Sequence, residues 1–300
     1  MSTHPTARTS ARHWVAGARP RTLPAAASPV LVGTAVAVFA GAFSLPLALL
    51  ALLVSLALQV GVNYANDYSD GIRGSDADRV GPLRLVGSGL ARPALVKRAA
   101  FGCFAVAAVA GLVLVLLSGL WWLLVVGAAA IAAAWFYTGG RRPYGYLGLG
   151  ELFVFVFFGL VAVGGTALVQ VGQLSWAAAW GGVGTGALAC GILVANNLRD
   201  IVGDRAVGKR TLATRIGAPA TRTLYVALVG LAFVALLGLA AVTSWLALAG
   251  AVGLALLVPA IRVVLSGGVG PALIQVLRAT GVAELVYAMG VLAGLTASRL

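Results

Sequence analysis

The chain has 300 residues, 61% of them hydrophobic and only 10% charged, with a net charge of +13. Soluble domains average about 45–50% apolar and about 25% charged residues, so this balance excludes a soluble globular domain and points to a polytopic membrane protein. The positive surplus raises the question of nucleic acid, but in a membrane protein it first reports which side the charges face.

A helix needs about 20 apolar residues to cross about 30 Å of hydrocarbon. Nine such runs occur, at 23–43, 45–66, 99–118, 121–138, 150–170, 174–198, 222–243, 245–265 and 280–298. They predict an all-α membrane protein with nine transmembrane helices in one domain covering 1–300. Residues 1–22, with Arg8, Arg12 and Arg19 around Trp14, suit a cytoplasmic interfacial segment ahead of the first span. Threaded through nine spans, every basic residue except Arg299 falls on one side. The positive-inside rule then predicts a multi-pass protein of the cell (inner or plasma) membrane, with its N-terminus and long loops in the cytoplasm. The lipid bilayer is the expected partner and nucleic acid is not. Cys103 and Cys190 lie inside apolar runs, which reads as packing and excludes a disulfide framework.

The acids are concentrated. The stretch NYANDYSDGIRGSDADRVGPLR, Asn63 to Arg84, holds four of the eight: Asp67, Asp70, Asp76 and Asp78. A second stretch, NNLRDIVGDRAVGKRTLATR, holds Asp200 and Asp204, and only Glu151 and Glu284 lie elsewhere. Both stretches close the second apolar run of a four-run set, so 23–138 and 150–265 read as a pseudo-repeat, with 280–298 as a final span. Asn63, Asp67 and Asp70, four and three apart, share one helix face, flanked by Asn66, and Asn196, Asp200 and Asp204, each four apart, form a second such strip. Aspartates converging at a membrane interface repel one another, and hard divalent cations relieve this; carboxylates with amide oxygens suit Mg²⁺. Arg73, Arg79 and Arg84 follow the first cluster, and Arg199, Arg205, Lys209 and Arg210 surround the second. Metal ions with arginine and lysine are the usual holders of a diphosphate, and a diphosphate at an apolar bundle suggests an isoprenoid diphosphate. Glu151 opens the fifth span as a site residue or a helix-start acid. Glu284 is expected to pair with Arg278 rather than to serve the site. An ion-coupled transporter is the alternative of a different class, but the acids gather at one face rather than along a path.

These residues resemble the UbiA superfamily of intramembrane aromatic prenyltransferases. Its first motif, N-D-x-x-D-x-x-x-D, is matched by Asn66, Asp67 and Asp70, and its second, D-x-x-x-D, by Asp200 and Asp204. Residue 74 is Gly where a further aspartate belongs, and Asp76 or Asp78, shortly after it, is the candidate to take its place. The strings RPRTLPAAASPVLVGTA, YTGGRRPYGYLGLGELFVFVFFG and NNLRDIVGDRAVGKRTLATRIG are similar to the 1,4-dihydroxy-2-naphthoate polyprenyltransferases. The resemblance implies nine helices around a central cavity, two Mg²⁺ ions, and transfer of a polyprenyl chain from polyprenyl diphosphate to 1,4-dihydroxy-2-naphthoate. It implies Asp67, Asp70, Asp200 and Asp204 as catalytic metal ligands, assisted by Asn66 and by Asn196 or Asn197. Arg73, Lys209 and Arg141 or Arg142 are then expected on the diphosphate, and Asn63, Tyr137 and Glu151 near the acceptor. Other acceptors of the superfamily, 4-hydroxybenzoate, haem or a sugar phosphate, remain alternatives here.

Overall fold

The computed structural model describes residues 10–74 and 83–300. Arg8, Asp76, Asp78 and Arg79 therefore lie outside the described residues. Each apolar run becomes helix. A short α1 (Ala11–Gly17) precedes α2 (Leu23–Phe39), α3 (Leu45–Ile72), α4 (Pro93–Ser118) and α5 (Leu123–Phe136). Next, α6 (Gly150–Val154) passes through a π-helical stretch, Phe155–Val161, into α7 (Ala162–Val171). The chain continues through α8 (Trp176–Ala206), α9 (Leu212–Val242), α10 (Ala251–Ala255) and α11 (Val258–Leu265), and closes with α12 (Pro271–Ala297). No strand occurs among the described residues.

Among the described residues, seven helical segments are long and apolar enough to cross a bilayer. An eighth is the pair Trp245–Ala255 and Val258–Leu265, bent by 45°, with Pro259 at the break; proline lacks the N–H and clashes with the carbonyl four residues back. The remaining predicted span, the fourth at 121–138, falls on α5, which has only 14 residues. Elsewhere the helices outrun their apolar cores. α3 continues to Ile72 and α8 to Ala206, so Asp67, Asp70, Asp200 and Asp204 are all helical.

The ends of the bundle differ. At one end the Arg299 Nε donates to Phe39 O (2.6 Å) and the Ser44 N–H to Gln170 Oε1 (3.1 Å). Exposed Trp121, Trp122, Trp176 and Trp245 sit at the helix connections of that end, as in an interfacial aromatic belt. The acidic clusters occupy the other end.

Two buried cores flank the middle. One gathers α2, α7, α8, α9 and α12 around Leu188, Tyr225, Leu236 and Tyr287. The other joins α3, α4 and α5 around Tyr64, Val96 and Phe104. Small residues let backbones meet: a Cβ on Gly159, in the π stretch, would lie 2.5 Å from Gly182 O and 2.7 Å from Gly186 Cα of α8. A Cβ on Gly102 of α4 would meet nothing within 4 Å. The two positions therefore respond to Gly→Ala in opposite directions. Gly102→Ala is expected to raise thermal stability in detergent through helix propensity, by about 0.5–1 kcal/mol. Gly159→Ala is expected to lower it, by about 1–3 kcal/mol, because neither contacting backbone can yield cheaply.

Candidate active site

The N-terminal turn supplies the first wall. Arg19 has φ 52°, and it is the one non-glycine with positive φ among the described residues. Pro20 follows it, which further disfavours that conformation. Side chains of α3 hold the turn in place. The Asn63 amide donates to Ala18 O (2.8 Å) and to Thr22 Oγ1 (2.9 Å). The Gln59 amide donates to Thr22 Oγ1 (3.0 Å), and the Thr22 hydroxyl donates to Arg19 O (2.9 Å).

One turn later α3 presents Asn66, Asp67 and Asp70, all buried. Asn66 Oδ1 accepts from the Thr138 hydroxyl (2.7 Å). Asp70 Oδ1 accepts from the Tyr146 hydroxyl (2.6 Å) and lies 3.5 Å from Lys209 Nζ. Asp70 Oδ2 lies 3.9 Å from Arg84. Lys209 is itself buried and sits 4.6 Å from the centre of the Tyr146 ring. Asp70 is thus the centre of a hydroxyl and two cations drawn from three connecting segments.

The loop between α5 and α6 is tied to this cluster. The Arg73 guanidinium donates to Thr138 O and Gly140 O. The Tyr144 hydroxyl donates to Ala133 O (2.9 Å), and its ring stacks on Phe153 at 4.0 Å. Burial pushes the Tyr144 phenol above its ordinary value, so it stays neutral and serves as a donor. On α8, the Asn197 amide donates to Glu151 Oε1 (2.9 Å). Arg199 forks onto Asp200 with two contacts of 2.7 Å and also donates to Asn196 Oδ1 (2.9 Å).

Two cavities meet here. A polar chamber of 660 Å³ is lined by Arg19, Arg21, Asn66, Asp70, Arg84, Tyr146, Asn196, Asn197, Arg199, Asp204, Lys209 and Arg278, among others. An apolar chamber of 530 Å³ runs between α3, α4, α5 and the π stretch. Gln59, Asn66, Tyr137, Val154 and Phe158 line both, so the chambers share a wall.

A model of the UbiA prenyltransferase family matches residues 26–268. The chain belongs to the UbiA prenyltransferase family. It is 53% identical to a 1,4-dihydroxy-2-naphthoate octaprenyltransferase of Mycobacterium tuberculosis over 96% of this chain and 98% of that one. A protein of the same description from Escherichia coli is 40% identical over 68% of each chain. In three dimensions the chain is similar to a UbiA homolog from Archaeoglobus fulgidus bound to GPP and Mg²⁺, with a TM-score of 0.66 and 13% identity over 95% of this chain and 99% of that one; at that identity the likeness establishes the fold.

Against this UbiA fold, the residues expected from the motifs divide. Asn66, Asp70, Tyr137, Asn196, Asn197, Asp204 and Lys209 line the polar chamber. Asp67 does not. Its oxygens accept the backbone N–H groups of Leu85 (2.7 Å) and Val86 (3.0 Å) instead. Asp200 is held by Arg199 and lines neither chamber. Among the described residues no three acidic, cysteine or histidine side chains form a metal cluster. Arg73 braces the Thr138–Gly140 backbone, and Arg141 and Arg142 are exposed and line neither chamber. Asn63 lines the apolar chamber but commits its amide to the N-terminal turn. Glu151 bonds Asn197 behind the wall, with Oε2 buried and without a partner. Glu284 is fully buried and does not pair with Arg278, which faces the polar chamber.

The structure also adds residues. Arg19 and Arg21 carry a sequence signal only as charges at the N-terminal segment, Arg278 only as a partner for Glu284, and Tyr146 only as a neighbour of a motif; Arg84 is already among the cations expected near a diphosphate. Gln59, Thr22 and Thr138 carry none.

Gly74 accounts for the missing motif aspartate. α3 ends at Ile72, and Gly74 has φ 71° with open space around it. An aspartate there would leave the helix face shared by Asn66 and Asp70. Gly74→Asp is accordingly expected to cost about 1–2 kcal/mol of stability through the left-handed backbone and to leave the Mg²⁺ dependence of turnover unchanged, as read from a thermal melt and a metal titration.

Proposed function

We propose that the chain transfers a polyprenyl group from polyprenyl diphosphate to 1,4-dihydroxy-2-naphthoate, releasing diphosphate and CO₂ and forming demethylmenaquinone, as its quinol, in menaquinone biosynthesis. One observation carries the reading: a polar chamber holding Asp70, Asp204 and buried Lys209 shares a wall with an apolar chamber. A prenyl diphosphate has this same division into headgroup and tail. The relatives' description as naphthoate octaprenyltransferases supports the acceptor.

Asp70 and Asp204, with the amide oxygens of Asn66 and Asn196, are hard oxygen donors that fit Mg²⁺. We assign two ions, one to each helix end. When bound, Mg²⁺ neutralises the diphosphate as the allylic C–O bond breaks. Lys209, Arg19, Arg21 and Arg84 hold the phosphate oxygens from the remaining sides. The apolar chamber takes the tail and keeps water from the allylic cation. Tyr137, on the shared wall, lies where the cation and the naphthoate ring meet. Attack by the ring carbon that bears the carboxylate forms the new C–C bond. Loss of CO₂ then returns an electron pair to the ring, so no side-chain base is required. The basic end of the bundle supports an active site facing the cytoplasm, with the N-terminus on the same side.

The test is incubation of the purified protein with Mg²⁺, a polyprenyl diphosphate and 1,4-dihydroxy-2-naphthoate, with product read by mass. The expected result is a prenylated, decarboxylated naphthoquinol that disappears with chelator. No product, or product independent of metal, sinks the reading.

A further inference from the structure

Asp67 lies three residues before Asp70 on α3 but turns to a different partner. It is fully buried. Oδ2 accepts the Leu85 N–H at 2.7 Å and Oδ1 the Val86 N–H at 3.0 Å. One carboxylate therefore grips two consecutive amides, each oxygen taking one.

The gripped segment is docked on both sides of that grip. Leu85 is fully buried, and a Cβ on Gly17 of α1 would lie 2.8 Å from its Cδ1. A Cβ on Gly71 of α3 would lie 2.5 Å from Val86 Cγ1. The Ala91 N–H returns to Leu85 O (2.9 Å), closing the segment on itself. Arg84 immediately precedes Leu85, so its backbone position follows from the grip. Its side chain lines the polar chamber, its guanidinium lies 3.9 Å from Asp70 Oδ2, and it is 11% exposed.

We propose that Asp67 is a positioning residue: its carboxylate fixes the Leu85 and Val86 amides so that Arg84 is presented to the diphosphate, and it takes no part in metal binding. The two aspartates of the first motif then have separate tasks, Asp70 toward the metal and Asp67 toward a phosphate-binding arginine. This rests on the reading of the polar chamber as the diphosphate site.

Four variants of the full-length protein test it: Asp67→Asn, Arg84→Ala, the double variant combining these two, and Asp70→Asn. The measurements are Mn²⁺ binding by electron paramagnetic resonance, KM for geranylgeranyl diphosphate, and hydrogen exchange of peptides covering 83–91. Asp67→Asn keeps one acceptor and faces the other amide with an NH₂. It is expected to speed exchange at 85 and 86 and to raise KM on the order of tenfold, the effect of losing one charge-assisted hydrogen bond. Mn²⁺ binding should stay within about twofold of the parent, well inside that tenfold scale. Arg84→Ala should raise KM similarly with exchange unaltered, and the double variant should show no further rise, because both act through one contact. Arg84→Ala leaves the carboxylate and both amides in place, so it decides the matter even where Asp67→Asn does not survive extraction; an unchanged KM in it overturns the proposal. So does a loss of Mn²⁺ binding in Asp67→Asn equal to that in Asp70→Asn. Undiminished Mn²⁺ binding in Asp70→Asn overturns the chamber reading itself, whatever Asp67→Asn does.

Discussion

Asp70→Asn is expected to lower kcat/KM by about 1,000-fold, or roughly 4 kcal/mol of transition-state stabilisation, while the protein still inserts and can be purified. Two losses combine. On the proposed reading, the chamber loses a carboxylate that would hold Mg²⁺, the ion that would offset charge on the leaving diphosphate. The substitution also removes the anion at the centre of Lys209, Arg84 and Tyr146. Lys209 is buried, and breaking a buried pair by removing one partner leaves an uncompensated charge. Excess Mg²⁺ is therefore expected to recover little activity. Asp200→Asn is the matched control, since Asp200 already forks with Arg199 away from both chambers; it is expected to cost less than tenfold, under about 1.4 kcal/mol. Steady-state kinetics with the prenyl diphosphate and naphthoate decide between the two. Equal losses in both variants would return Asp200 to the metal site and remove the distinction drawn here.

Much of this architecture was legible in the sequence, for physical reasons that also mark where legibility stops. Apolar length reports spans because the bilayer core has a fixed thickness, and all nine runs became helix. It does not report where a helix ends in the interface. α3 and α8 continue six and more residues past their apolar cores, and this puts Asp70 and Asp204 on rigid helix rather than loop. Nor does apolar length reveal the π stretch at Phe155–Val161, whose close approach to α8 depends on Gly159, Gly182 and Gly186. The spacing of Asp67 and Asp70 put them on one face, but spacing cannot separate a carboxylate that faces a cavity from one that faces amides 18 and 19 residues later. Arg141 and Arg142 raise the same problem of direction. A basic pair beside Tyr137 looked like a phosphate clamp, yet the loop turns them outward and brings Tyr146 inward. Asn63 was expected at the acceptor, but its partners Ala18 and Thr22 are more than forty residues upstream, beyond the reach of any local pattern.

Arg19 gives the second large expectation, because there stability and activity should move apart. Its backbone is left-handed at φ 52° with Pro20 next, a conformation that costs a non-glycine residue about 1–2 kcal/mol. Such strain persists only where surrounding contacts over-determine it, and these sites cluster at functional positions. Here the contacts come from Gln59, Asn63 and Thr22, and the guanidinium they deliver lines the polar chamber. Arg19→Gly relieves the strain and removes the cation. It also gives the unfolded chain more freedom, worth about 0.4–1 kcal/mol against folding. The net effect on stability is expected to lie between zero and about 1.6 kcal/mol of gain. Arg19→Ala keeps the strained backbone, loses the side-chain contacts and should melt lower than the glycine variant. Both should lose about 100-fold in kcat/KM, near 2.7 kcal/mol, because both remove the same cation from the diphosphate. Thermal melts and kinetics on the pair separate the two effects. A glycine variant that melts below the alanine variant would mean that the turn is unstrained. Full activity in either would place the diphosphate out of reach of Arg19.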